Sequence, residues 1–178
     1  MAGGPMAALD AMIDETFGRA RGRVLLVDGF NVLHAVLLGR DREDWWRRGA
    51  RERLLERIAG WRDEADEIWV AFDGARPAWS VWAEPVARPL PRRRRGPIVH
   101  CVFVESADDW IVRRARRAAE PGRLVIVSAD RQVAGRARSA GCEVWSPWAF
   151  MTRCPAETAP PSEDAGPSEA GAWISVGT

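Results

Sequence analysis

Apolar positions in this chain gather into short blocks separated by polar or amphipathic stretches. Val24-Leu25-Leu26-Val27, Ile68-Trp69-Val70-Ala71-Phe72, Val102-Phe103-Val104 and Leu124-Val125-Ile126-Val127 are runs rich in β-branched residues, the pattern of buried strands. They predict strands at about 23–28, 67–72, 98–105 and 123–128, with a fifth at 142–145. Between them the period changes to that of helices. Gly29-Phe30-Asn31 opens a helix through residue 38, and Ala50, Leu54, Ile58 and Trp61 mark one face of a helix over 45–62. Ser106 caps a helix over 107 to about 119 that Pro121-Gly122 breaks, and a short helix over 131–140 ends at Gly141. Strand and helix in alternation predict an α/β fold, a mainly parallel twisted sheet of about five strands with helices on both faces.

The flanks read differently. Leu9, Met12, Ile13 and Phe17 give residues 1–22 the spacing of a short amphipathic helix, an N-terminal lead to a folded unit over 23–154. Residues 75–97 hold Pro77, Pro85, Pro89, Pro91 and Pro97 and predict a loop or distorted hairpin. Residues 155–178 are rich in Pro, Ala, Ser, Gly and Glu, the composition of a disordered tail.

Composition adds limits. At 178 residues, 47% hydrophobic and 29% charged, the chain suits one globular domain. No stretch approaches the roughly 20 apolar residues of a membrane span, and the first residues lack the basic start and apolar block of a secretory signal. Cys101, Cys142 and Cys154 are odd in number and widely spaced, as reduced thiols of a cytoplasmic protein would be. Charge is unevenly spread: the net charge is +1, yet the tail from 155 carries four acids and no base. Residues 86–154 hold fourteen arginines against six acids, a balance of +8, which suggests a polyanionic partner.

The candidate chemistry lies at the ends of the apolar runs. Asp28 follows the first and Asp73 the second; Glu105, Asp108 and Asp109 follow the third, and Asp130 lies just beyond the fourth. In a parallel sheet those ends meet at one edge, where ligands bind. Each acid also has a local explanation. Asp28 and Asp130 suit helix N-caps, Asp73-Gly74 suits a turn, and Ser106-Ala107-Asp108-Asp109 fits a capping box. Jointly they make a different case. Two carboxylates about 4 Å apart repel by roughly 4 kcal/mol at an effective dielectric near 20, so several together call for a cation. Oxygen donors favour Mg²⁺ or Mn²⁺, and neither His34 nor His100 has a second histidine or a cysteine at zinc spacing. No glycine-rich phosphate loop is present, and Phe30 stands where a haloacid-dehalogenase-type phosphatase would need its second aspartate.

The four segments Val27-Asp28-Gly29-Phe30-Asn31, Phe72-Asp73-Gly74, Ser106-Ala107-Asp108-Asp109-Trp110-Ile111 and Val127-Ser128-Ala129-Asp130-Arg131 resemble the acidic motifs of NYN domains in the PIN-like nuclease superfamily, nearest to the YacP-like branch. The resemblance covers about residues 23–150. It implies a PIN-like fold and cytoplasmic, metal-dependent RNA cleavage. Asp28, Asp73, Asp108 and Asp130 would be catalytic and metal-holding, Asn31 would orient the first aspartate or a phosphate, and Asp109 and Glu105 would be supporting candidates. RNA, single-stranded, would be the partner. Arg92, Arg93, Arg94 and Arg95, beside Trp79 and Trp82, are candidate RNA contacts, as are Arg113 and Arg131. Two rivals remain: a non-catalytic RNA-binding module that uses the arginine-rich loop, and the nuclease of a toxin–antitoxin pair.

Overall fold

The computed structural model describes residues 11, 14–15, 22–37, 48–61, 65, 67–74 and 97–154. Within them, strand β1 (Val24–Asp28) leads into helix α1 (Gly29–Val32) and a π-helical turn (Leu33–Leu37). Helix α2 (Arg48–Ala59), strand β2 (Glu67–Asp73) and strand β3 (Ile98–Val104) follow. Helix α3 (Ala107–Arg117), strand β4 (Leu124–Val127), helix α4 (Arg131–Ser139), strand β5 (Glu143–Trp145) and helix α5 (Pro147–Met151) complete the chain. The strands form one sheet in the order β3-β2-β1-β4-β5, with every pairing parallel. The expected α/β fold is the one observed.

Alternation along the strands divides the interior into two layers. Leu25, Val27, Ile68, Val70, Phe72, Val125 and Val127 face α2 and α5, where Leu54, Ile58 and Phe150 cover them. Leu26, Trp69, Ala71, Val102 and Ile126 face α3 and α4, covered by Trp110, Ile111 and Val133. Each such aliphatic or aromatic side chain stabilises the fold by about 1.5–3 kcal/mol relative to exposure. Both faces are dry, which explains why the strands read as unbroken apolar runs rather than alternating ones.

Several expectations differ in detail. The first helix opens after one turn into the π-helical segment, in which an extra residue per turn changes which side chains face inward: Leu33 is buried while His34 and Ala35 face out. Helix α2 stops at Ala59, because Gly60 and Trp61 turn back on the carbonyls of Arg57 and Ile58. Helix α5 was not expected. It starts at Pro147 under a cap from Ser146, whose Oγ accepts the Ala149 N–H at 3.1 Å. The segments 38–47, 75–96 and 155–178, and most of 1–22, lie outside the described residues.

One glycine positions the site. A Cβ on Gly29 would fall 2.4 Å from the Phe72 ring, so only glycine lets the chain turn into α1 directly over β2.

Candidate active site

In this strand order the sheet reverses its winding between β1 and β4, and the crevice beyond their carboxyl ends is where open parallel sheets bind ligands. Asp28 ends β1 and Asp130 follows β4 on the two sides of that crevice; Asp73 ends β2, and Asp108 lies in the first turn of α3. Asp28 is the floor of the cluster at 4% exposure, while Asp73 and Asp108 are exposed and Asp130 is half-buried.

Three of the four acids are also helix caps. Asp28 Oδ1 accepts the Asn31 N–H at 3.0 Å. Asp73 Oδ1 accepts the N–H of Ala107, across 34 residues, at 2.6 Å. Asp130 Oδ1 accepts the N–H groups of Gln132 and Val133 at 2.6 and 3.0 Å. Capping and convergence are therefore compatible, because a helix N-terminus at a strand end brings its capping carboxylate to the crevice. Asp108 is the exception; Ser106 caps its helix by accepting the Asp109 N–H at 3.2 Å. Asn31 ties the crevice together. Its Oδ1 accepts the Ala129 N–H at 2.9 Å, and its side-chain amide hydrogen-bonds Asp28.

Electrostatics follow from this geometry. Burial pushes Asp28 from 3.8 up to about 7, partly opposed by the Asn31 hydrogen bonds and reinforced by Asp108 and Asp73. Burial also raises Asp108, with Asp130, Asp73 and Asp109 adding to the rise, while a hydrogen bond from Asp28 lowers it. The two carboxyls are thus neighbours that both hold protons more tightly than a free aspartate does. Among the described residues no three His, Cys, Asp or Glu side chains form a ready-made ion cage. The donor set nevertheless suits a hard divalent cation. It is all oxygen, its members repel one another, and burial raises the proton affinity of its innermost carboxyl, with Asp108 and Asp73 adding to the rise.

The two supporting candidates differ: Asp109 stays close enough to raise Asp108, and Glu105 does not. Glu105 is exposed in the bend after β3 and does not figure among the groups that shift Asp28 or Asp108. Asp109 lines a cavity with Arg113, Arg116, Arg117 and Arg136. Arg131 lines another with Arg116 and Arg136. Arg92 to Arg95, Trp79, Trp82, Trp45 and Trp46 lie outside the described residues. Trp61 and Trp110 are core residues.

A scan against known protein families matches residues 25–165 to the YacP-like NYN domain. The chain belongs to the YacP-like NYN family. The resemblance read from the acidic motifs is borne out, and with it a nuclease-family, RNA-related function. Among solved structures, this YacP-like domain is similar to a point mutant of Rae1 (YacP) from Bacillus subtilis. The TM-score is 0.51 at 19% identity, over 73% of each chain, a likeness of fold. No curated protein matches it. No helix among its described residues is long and apolar enough to cross a membrane.

Two features of the YacP-like domain escaped the sequence reading. The Asn31–Ala129 bond joins residues 98 apart, for which no local signal exists. Arg116 and Arg136 each look like one surface charge among many, and only the packing of α3 beside α4 brings them together.

Proposed function

We propose that this chain is a ribonuclease that hydrolyses RNA phosphodiester bonds with a divalent cation, Mg²⁺ or Mn²⁺, held by Asp28, Asp73, Asp108 and Asp130. The observation that carries the reading is the buried Asp28 carboxyl beside Asp108 and Asp73 at the crevice of a nuclease-family fold. When bound, the ion polarises a phosphoryl oxygen and lowers the pKa of water, which is the chemistry phosphodiester hydrolysis needs. The protein's own part is positional. Asn31 fixes Asp28 and the loop of Ala129, and the capping bonds fix Asp73 and Asp130, the carboxylates that would hold the ion. Arg131, at the start of α4, and Arg113, midway along α3, take flanking phosphates of single-stranded RNA. The nuclease domain spans 23–154 between the N-terminal lead and the acidic tail, and works in the cytoplasm.

Cleavage of a labelled single-stranded RNA, in Mn²⁺ or Mg²⁺ against chelator, tests this. Wild type cuts only with the cation, and Asp28→Asn abolishes cutting while its circular dichroism stays that of wild type. An Asp28→Asn protein that cuts as well as wild type defeats the mechanism. A wild-type protein that shifts RNA on a gel in a salt-sensitive way, yet never cuts it, makes the chain a non-catalytic binding module.

A further inference from the structure

Helices α3 and α4 both begin at the acidic cluster and pack side by side over one face of the sheet. On α3, Asp109, Arg113, Arg116 and Arg117 share a face at helical spacing. On α4, Arg131, Gly135, Arg136 and Ser139 do the same. Between them lie a cavity of about 500 Å³ that includes Arg131 and Gly135, and one of about 450 Å³ that includes Asp109 and Arg113. Arg116 and Arg136 line both, so the two are lobes of one cleft.

The cleft is arranged for an anion. It gathers five guanidinium groups against one carboxylate, Asp109, at the end nearest the acidic cluster. Arginines that serve the fold are paired: Arg114 is buried on Asp14 at 2.8 Å, and Arg123 holds Glu120 and the Gly22 carbonyl. Among the described residues no ion pair ties down Arg116, Arg131 or Arg136. Gly135 points the same way. A Cβ there would meet nothing within 4 Å, so packing does not demand glycine, although glycine inside a helix costs about 1 kcal/mol relative to alanine. Its effect is to leave the cleft floor bare. Helices in contact stand about 8–10 Å apart axis to axis, so the cleft is the single groove along their outward faces, a path for one sugar–phosphate backbone.

We propose that the α3–α4 cleft is a track for single-stranded RNA leading away from the acidic cluster, with Arg116 and Arg136 as its central phosphate contacts. The proposal rests on the ribonuclease reading and deepens it. It is tested on the full chain by fluorescence anisotropy with a short unstructured RNA, in chelator so that no strand is cut. The proteins compared are wild type, an Arg116→Ala/Arg136→Ala double variant, and Gly135→Glu, which improves helix propensity while placing a negative charge in the cleft. Both variants keep the wild-type circular dichroism and bind about tenfold more weakly or worse. The double variant also loses about 1.4 from the log–log salt slope, since each phosphate contact on a single strand contributes about 0.7. Affinity rises from trinucleotide to longer oligomer. Unchanged affinity and slope in the double variant overturn the proposal, as does an affinity independent of RNA length, which would mark an isolated anion site. Loss of polyglutamate binding with RNA binding intact assigns the cleft to an acidic protein and overturns it too. Cleavage and binding are read separately. A chain that binds through this cleft but never cuts defeats only the ribonuclease reading, and a cutting chain indifferent to these substitutions defeats only the track.

Discussion

Asp28 ends a strand whose other residues are all apolar, and its proton affinity follows from its burial there. In the cation-free chain the folded state holds this proton more tightly than the unfolded state, with the carboxyl raised from 3.8 to about 7. The stabilisation is therefore complete below about pH 4 and is lost as pH rises through about 7. Full loss amounts to about 4 kcal/mol, since each pKa unit is worth about 1.4. Urea unfolding in chelator checks this: the wild-type midpoint falls between about pH 5 and about pH 8, and Asp28→Asn flattens the fall. If both proteins share one pH slope, another group is responsible. The sequence identified Asp28 as a strand-end acid, but its neighbours Asp73 and Asp108 come from distant segments.

At the scale of elements, the helix starts carry the site. Asp130 caps α4 through two N–H bonds and stands at the crevice, so its two roles are separable by choice of replacement. Asparagine caps about as well as aspartate but brings no charge, whereas alanine does neither. Asp130→Asn therefore keeps stability within about 0.5 kcal/mol and loses cleavage, while Asp130→Ala loses cleavage and a further roughly 1 kcal/mol. Thermal unfolding and cleavage rates on the same samples check it; an Asp130→Asn enzyme with full activity would leave Asp130 as a cap alone. The helix starts were legible because capping is local: Ser106 lies three residues before the N–H it accepts, and Asp130 two and three. Helix α5 was less so. Its single turn offers too few residues for a period, and its apolar face is set by the Trp61 and Phe150 rings that stack 5.2 Å apart.

For the whole molecule, binding of a divalent cation to the folded state alone raises stability, by about 2.7 kcal/mol at a concentration a hundredfold above the dissociation constant. Mn²⁺ should raise the melting temperature, and more above about pH 7 than below, because Asp28 must lose its proton to receive the ion. A melting temperature indifferent to Mn²⁺ at alkaline pH would count against the aspartate cluster as its site. The sequence by itself determined the strands, the helix starts and the acids that tip them, because apolar runs buried on both faces and capping residues are local signals. It also determined the family, because the four motifs keep their order and spacing along the chain. Only the tertiary structure decided what those pieces do together. The order β3-β2-β1-β4-β5 sets Asp28 and Asp130 across one crevice, Asn31 reaches the loop of Ala129, and α3 beside α4 turns scattered arginines into a cleft. These are encounters between residues far apart in the chain, fixed by how the sheet buries its two faces, and no local pattern encodes them.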